Sequence, residues 1–108
     1  MTLDEAREAR EVKMCRIAEL VEIMLRENHE PSWELSVTYE PIKEETLQDF
    51  TAWQREYHGI LTGSEYFMIW RDEPGRPEET ELLYAVDVTG DSVLTAAGDL
   101  MALAARKF

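Results

Sequence analysis

Glu81-Leu-Leu-Tyr-Ala-Val-Asp-Val-Thr-Gly-Asp-Ser-Val-Leu-Thr-Ala-Ala-Gly-Asp-Leu-Met-Ala-Leu-Ala-Ala-Arg-Lys-Phe108 is the stretch that decides the fold. It holds the densest apolar content of the chain. Its first half alternates: Leu82, Tyr84, Val86 and Val88 are expected on one face of a strand over 81–88, with Leu83 and Ala85 on the other. Thr89-Gly90 makes a turn, and Asp91 or Ser92 caps a helix that runs to the C-terminus. Val93, Ala97, Leu100, Met101 and Ala104 form the predicted buried stripe, widened by Leu94 and Leu103. Gly98 costs about 1 kcal/mol relative to Ala inside a helix, which suggests a close backbone approach there.

Upstream, residues 65–71 (Glu-Tyr-Phe-Met-Ile-Trp-Arg) are apolar on both faces and read as a central strand. Pro74-Gly75 and Pro77 make 72–80 a long turn-rich connection between the two strands. Residues 33–39 alternate, with Trp33, Leu35, Val37 and Tyr39 on one face and Glu34, Ser36, Thr38 and Glu40 on the other. Pro41 stops that strand. Residues 2–28 read as a long helix, started by a Thr2/Glu5 capping box. Met14, Ile17, Ala18, Val21, Met24 and Leu25 form its buried face, and its first three turns are poor in large apolar residues. Residues 44–58 read as one further helix, because Leu47, Phe50, Trp53 and Tyr57 fall in one arc of about 120°.

The order is α-β-α-β-β-α. The expectation is a single α+β domain over 1–108, with helices on a mostly antiparallel three-stranded sheet. With 42–60 set aside as an insertion, the order α-β-β-β-α resembles that of the double-stranded-RNA-binding domain. That family grips phosphates with basic residues near its last helix. Here the helix opens with Asp91 and carries only Arg106 and Lys107 at its far end. The resemblance therefore implies an element order and no nucleic-acid binding.

Charge is the most unusual property. The 108 residues carry a formal net charge of −12. Residues 2–26 are close to neutral, with six acids and five bases. Residues 27–99 hold 17 acids and four bases, a net −13. Such a field repels nucleic acid and anionic membranes and favours basic partners. The plain alternative is that the charge serves solubility.

Little in the sequence points to catalysis. His29 and His58 stand in no metal-binding or catalytic spacing. Cys15, the one cysteine, reads as a buried structural thiol and permits no intramolecular disulfide. Asp87-x-Thr-Gly-Asp91 is explained by a turn and a helix cap, and it lacks the pattern of a calcium loop. There is no Gly-rich phosphate loop, nucleophile elbow or Walker sequence. The expectation is a protein that is not an enzyme and uses no cofactor or metal. The N-terminus has neither the basic region nor the apolar core of a signal peptide, and no stretch is apolar enough to span a bilayer. A cytoplasmic location is expected.

What remains is the acidic surface. On a single helix over 44–58, Glu45, Asp49 and Glu56 would share a stripe within about 40°. Asp72, Glu73, Glu78 and Glu79 would crowd the connecting loop. These seven residues are the predicted partner-binding set, facing a basic, possibly nucleic-acid-binding, surface of a protein. A nucleic-acid mimic from a phage or mobile element that inhibits a nuclease, such as an anti-CRISPR protein, is one instance of that class. The alternative is an assembly subunit, a homodimer or hetero-oligomer, joined through Trp33, Trp53, Tyr57 and an apolar edge of the first helix (Val12, Leu20, Ile23).

Overall fold

The computed structural model describes residues 2–28, 34–73 and 76–108, and the side chains of 34, 73 and 76–79 lie outside that description. The elements are α1 (Leu3–Asn28), β1 (Glu34–Pro41), α2 (Glu44–Leu47), α3 (Ala52–His58), β2 (Glu65–Glu73), β3 (Arg76–Asp87) and α4 (Val93–Lys107). The three strands form one antiparallel sheet in the order β1-β2-β3. This is the expected α+β fold. The order is α-β-β-β-α once residues 42–60 are set aside, and those residues carry α2 and α3.

β2 is apolar on both faces because both are covered. On the inner face, α1 and α4 pack over Leu35, Val37 and Tyr39 of β1 and over Phe67 and Ile69 of β2. They contribute Met14, Ala18, Val21, Leu25, Ala96, Leu100, Leu103 and Ala104. On the outer face a smaller cluster joins Ile42, Phe50, Ile60, Tyr66, Met68 and Leu82. Phe67, Met68 and Ile69 are fully buried, so one short run serves both cores.

Four expectations need correction. First, the helix over 44–58 is two short helices. Thr51 starts the second one with a reciprocal capping box: Thr51 Oγ1 accepts from the Gln54 amide at 3.1 Å, and Gln54 Oε1 accepts from the Thr51 amide at 2.9 Å. The break lets Phe50 turn inward, where its ring stacks on Trp70 at 5.9 Å. Trp53 and Tyr57, placed by the sequence on the same arc as Phe50, are 61% and 70% exposed.

Second, the long loop over 72–80 does not exist. β2 and β3 continue as an extended hairpin that reaches Glu73 paired with Arg76. Pro77 is tolerated because β3 is an outer strand. Third, the register shifts between Ile69 and Trp70: Ile69 pairs with Tyr84, but Trp70 pairs with Leu82. Leu83 is the extra residue of this bulge. Leu82 therefore joins the outer cluster, while Tyr84 and Val86 stay on the inner face.

Fourth, the buried stripe of α4 is rotated from the expected one. Ala96, Leu100, Leu103 and Ala104 are buried, whereas Leu94 and Met101 are exposed. Ser92 is the cap, accepting from the Thr95 amide at 3.1 Å. Gly98 has no close neighbour, since a Cβ added there meets nothing within 4 Å. The close approach expected from the sequence is absent.

A polar node ties the layers together. Arg10 on α1 donates through Nε (3.1 Å) and Nη2 (2.9 Å) to Glu65 Oε2 at the start of β2. Its guanidinium also donates to the carbonyls of Val88 and Asp91 in the turn before α4. The Tyr39 hydroxyl donates to the same Glu65 oxygen at 2.7 Å. Burial, then the hydrogen bond and charge of Glu65, push the Tyr39 pKa well above its ordinary value, so the hydroxyl keeps its proton. The first turns of α1, poor in apolar residues, are thus anchored by charge.

Farther along α1, Glu22 Oε1 accepts from the Val37 amide at 2.9 Å, and Arg26 Nε donates to the Leu35 carbonyl at 2.8 Å.

Two stability changes follow. Arg10→Met removes the cation from a partly buried carboxylate and should lower unfolding free energy by about 1–3 kcal/mol in urea titration. Gly98→Ala places a methyl in open space on a helix and should raise it by about 0.5–1 kcal/mol.

Candidate functional site

The outer face of the sheet is only half covered. α2 and α3 close the end around Ile42, Phe50 and Ile60. Past that cover, Ser36, Thr38, Glu40, Trp70 and Thr80 line a shallow groove of about 250 Å³. Strand alternation explains its membership. Ser36, Thr38 and Glu40 are the polar face of β1, and Ser36 pairs with Trp70 in register. Trp70 is fixed on two sides. Its Nε1 donates to Thr38 Oγ1 at 2.9 Å, and its ring lies against Phe50. At the far end, Ser36 Oγ donates to Asp72 Oδ2 at 3.4 Å.

Glu40 is the unusual member. It is half-buried and, among the described residues, forms no ion pair. Burial pushes its pKa up, and the charge of Asp49 adds to this. A hydrogen bond with Thr38 works in the opposite sense. Glu40 also stands at a junction. Asp49, between α2 and α3, acts on it from one side. Its own field reaches Cys15 on α1, beside Glu11 and Glu19. Acidic groups thus follow one another from α1, where Arg16 lies among them, across the edge of β1 to the α2–α3 connection.

The predicted partner-binding residues are redistributed. Glu45 is exposed on α2, Asp49 is exposed in the break, and Glu56 is exposed on α3. The three do not form one stripe, because the helix they would share is divided at Thr51. Asp72 is half-buried on β2, in register with Thr80. Glu73, Glu78 and Glu79 belong to strand positions of the hairpin, not to a loop, and their side chains lie outside the described residues. Glu81 is engaged by Arg71 at 2.6 Å. The alternation of β1 places Glu40 on a polar strand face and does not mark its partial burial. The signal that could have found it is its position one residue before Pro41 and Ile42, where the chain turns over the sheet.

The remaining candidates are structural in their surroundings. His58 Nε2 donates to the Leu82 carbonyl at 3.1 Å, and His29 and Trp33 lie outside the described residues. Asp87 Oδ1 accepts from the Thr89 amide and hydroxyl, which accounts for the Asp87-x-Thr-Gly turn. Cys15 is exposed, not buried as expected. Partial desolvation, then the charges of Glu11, Glu19 and Glu40, raise its pKa and disfavour the thiolate. Among the described residues no group of three or more His, Cys, Asp or Glu is placed to hold a metal ion. No described helix is long and apolar enough to cross a membrane.

Val12, Leu20 and Ile23 are exposed along the outer side of α1, as the assembly alternative requires of them.

In comparisons with protein-family models, curated proteins and solved structures, no significant match to the chain was found. The functional reading therefore rests on the geometry above.

A carboxyl such as Glu40, whose folded pKa lies above its unfolded value, favours folding when protonated. That contribution is present below about 4.5 and is lost as pH rises through the folded value. Glu40→Gln should therefore raise the urea midpoint at neutral pH, and the gap from wild type should close in acid below the ordinary carboxylate value.

Proposed function

We propose that this chain is a non-enzymatic acidic binding protein that occupies the basic surface of a protein partner. The observation that carries the reading is Glu40. A half-buried carboxylate with no ion pair among the described residues and a second acid near it lowers stability. Such a cost is offset when a partner supplies the missing cation. The neighbouring acids and the net charge of −12 extend the same sign of field around it. Glu45, Asp49, Glu56 and Asp72 belong to the same surface chemistry, and so do the hairpin acids Glu73, Glu78 and Glu79.

Basic surfaces of this breadth are characteristic of nucleic-acid-binding proteins, which neutralise phosphates with Lys and Arg. The finer reading is therefore a nucleic-acid mimic that blocks a nuclease or another nucleic-acid-binding protein, as an inhibitor from a phage or mobile element would. The protein itself would not bind nucleic acid. A cytoplasmic setting suits this role.

Retention of nucleic-acid-binding proteins on the immobilised chain should fall about tenfold or more between ~50 mM and ~500 mM salt. Reversing Glu40, Asp49 and Asp72 to lysine should produce a comparable loss at low salt. Binding that ignores both salt and charge reversal would sink the proposal.

A further inference from the structure

α3 carries a second unusual surface. Trp53 and Tyr57, one helical turn apart, stack face to face with centroids 4.8 Å apart and planes 8° apart. Both are largely exposed, so this pair is not a piece of the core. His58 meets both rings edge-on, at 6.3 Å and 4.9 Å, and is itself held by the Leu82 carbonyl. The aromatic pair is thereby oriented on the fold instead of swinging freely.

Glu56 is exposed and lies three residues after Trp53, adjacent to it on the helix surface. Arg55, the helix's own arginine, is half-buried on the opposite side and in no ion pair with Glu56. The patch thus combines two electron-rich ring faces, braced by His58, with a carboxylate that no arginine of its own helix engages. That chemistry suits a guanidinium, which stacks on an aromatic face while donating to a carboxylate.

We propose that Trp53, Glu56 and Tyr57 form a receptor for arginine side chains of a basic partner. This rests on the acidic-binding reading, and it adds a selectivity that charge alone does not supply. Exposed tryptophan and tyrosine are also the residue types that dominate binding energy at interfaces.

The test uses an oligo-arginine and an oligo-lysine peptide of equal length, titrated into the full chain by calorimetry at low salt. Wild type should bind oligo-arginine more tightly. Trp53→Ala or Tyr57→Ala should weaken that binding about threefold or more, with a smaller effect on oligo-lysine, and Trp53→Phe should restore part of it. Both side chains are largely exposed, so the variants should stay folded and lose in urea titration no more than the stacked contact contributes. Salt-sensitive binding of both peptides that Trp53→Ala and Tyr57→Ala leave unchanged overturns the arginine receptor alone. Failure of wild type to bind either peptide overturns the acidic-binding reading and the receptor with it.

Discussion

One carboxylate oxygen ties the layers of the fold together. Glu65 Oε2 receives two nitrogens of Arg10 and the hydroxyl of Tyr39. Through these contacts it joins the first helix, the first strand and the start of the second. Arg10 extends the node to the turn that launches the last helix. The Glu65 backbone adds two more links, donating to Thr89 Oγ1 and accepting from the Val88 amide. Hydrophobic burial supplies most of the driving force for such a domain, but burial is non-directional. The node fixes direction, setting where α1 crosses the sheet and where α4 begins.

That economy of cations bears on the rest of the surface. The chain has 11 basic residues against 23 acids. Several of the bases are committed to structure: Arg10 to the node, Arg26 to β1 and Arg71 to Glu81. None of these three reaches Glu40, which forms no ion pair among the described residues. Glu65 and Glu40 are both half-buried carboxylates, yet among the described residues only Glu65 is paired with a cation. A stacked aromatic pair on α3 lies on the same protein as this charge, and both features enter the proposed recognition of a cationic partner.

Much of this was legible in the sequence, for local reasons. Alternation from Leu35 to Glu40 identified β1 and both its faces. The apolar run from Tyr66 to Trp70 identified a strand buried on both sides. The limits were also local. The Thr51-x-x-Gln54 signature of a helix start was present, but the helical spacing of Leu47, Phe50, Trp53 and Tyr57 outweighed it. Pro74, Gly75 and Pro77 spelled a loop, where an outer strand could carry the second proline. The bulge at Leu83 arises from pairing with β2, so no pattern within β3 reveals it. The Arg10–Glu65 contact joins residues 55 positions apart, and no periodicity reports a pair so distant.

The side chains that α1 lays along β1 have a consequence for recognition. β1 is an outer strand, and outer strands ordinarily offer unpaired amides and carbonyls to which an incoming segment can add as a new strand. Here Glu22 takes the Val37 amide and Arg26 takes the Leu35 carbonyl, so the helix acts as a chaperoning strap along that edge. On the opposite edge, Pro77 lacks an amide and His58 occupies the Leu82 carbonyl. Sheet extension is therefore disfavoured at the middle of β1 and at these points of β3. Recognition of the proposed kind would then read side chains across the faces of the sheet and helices, not its backbone edges.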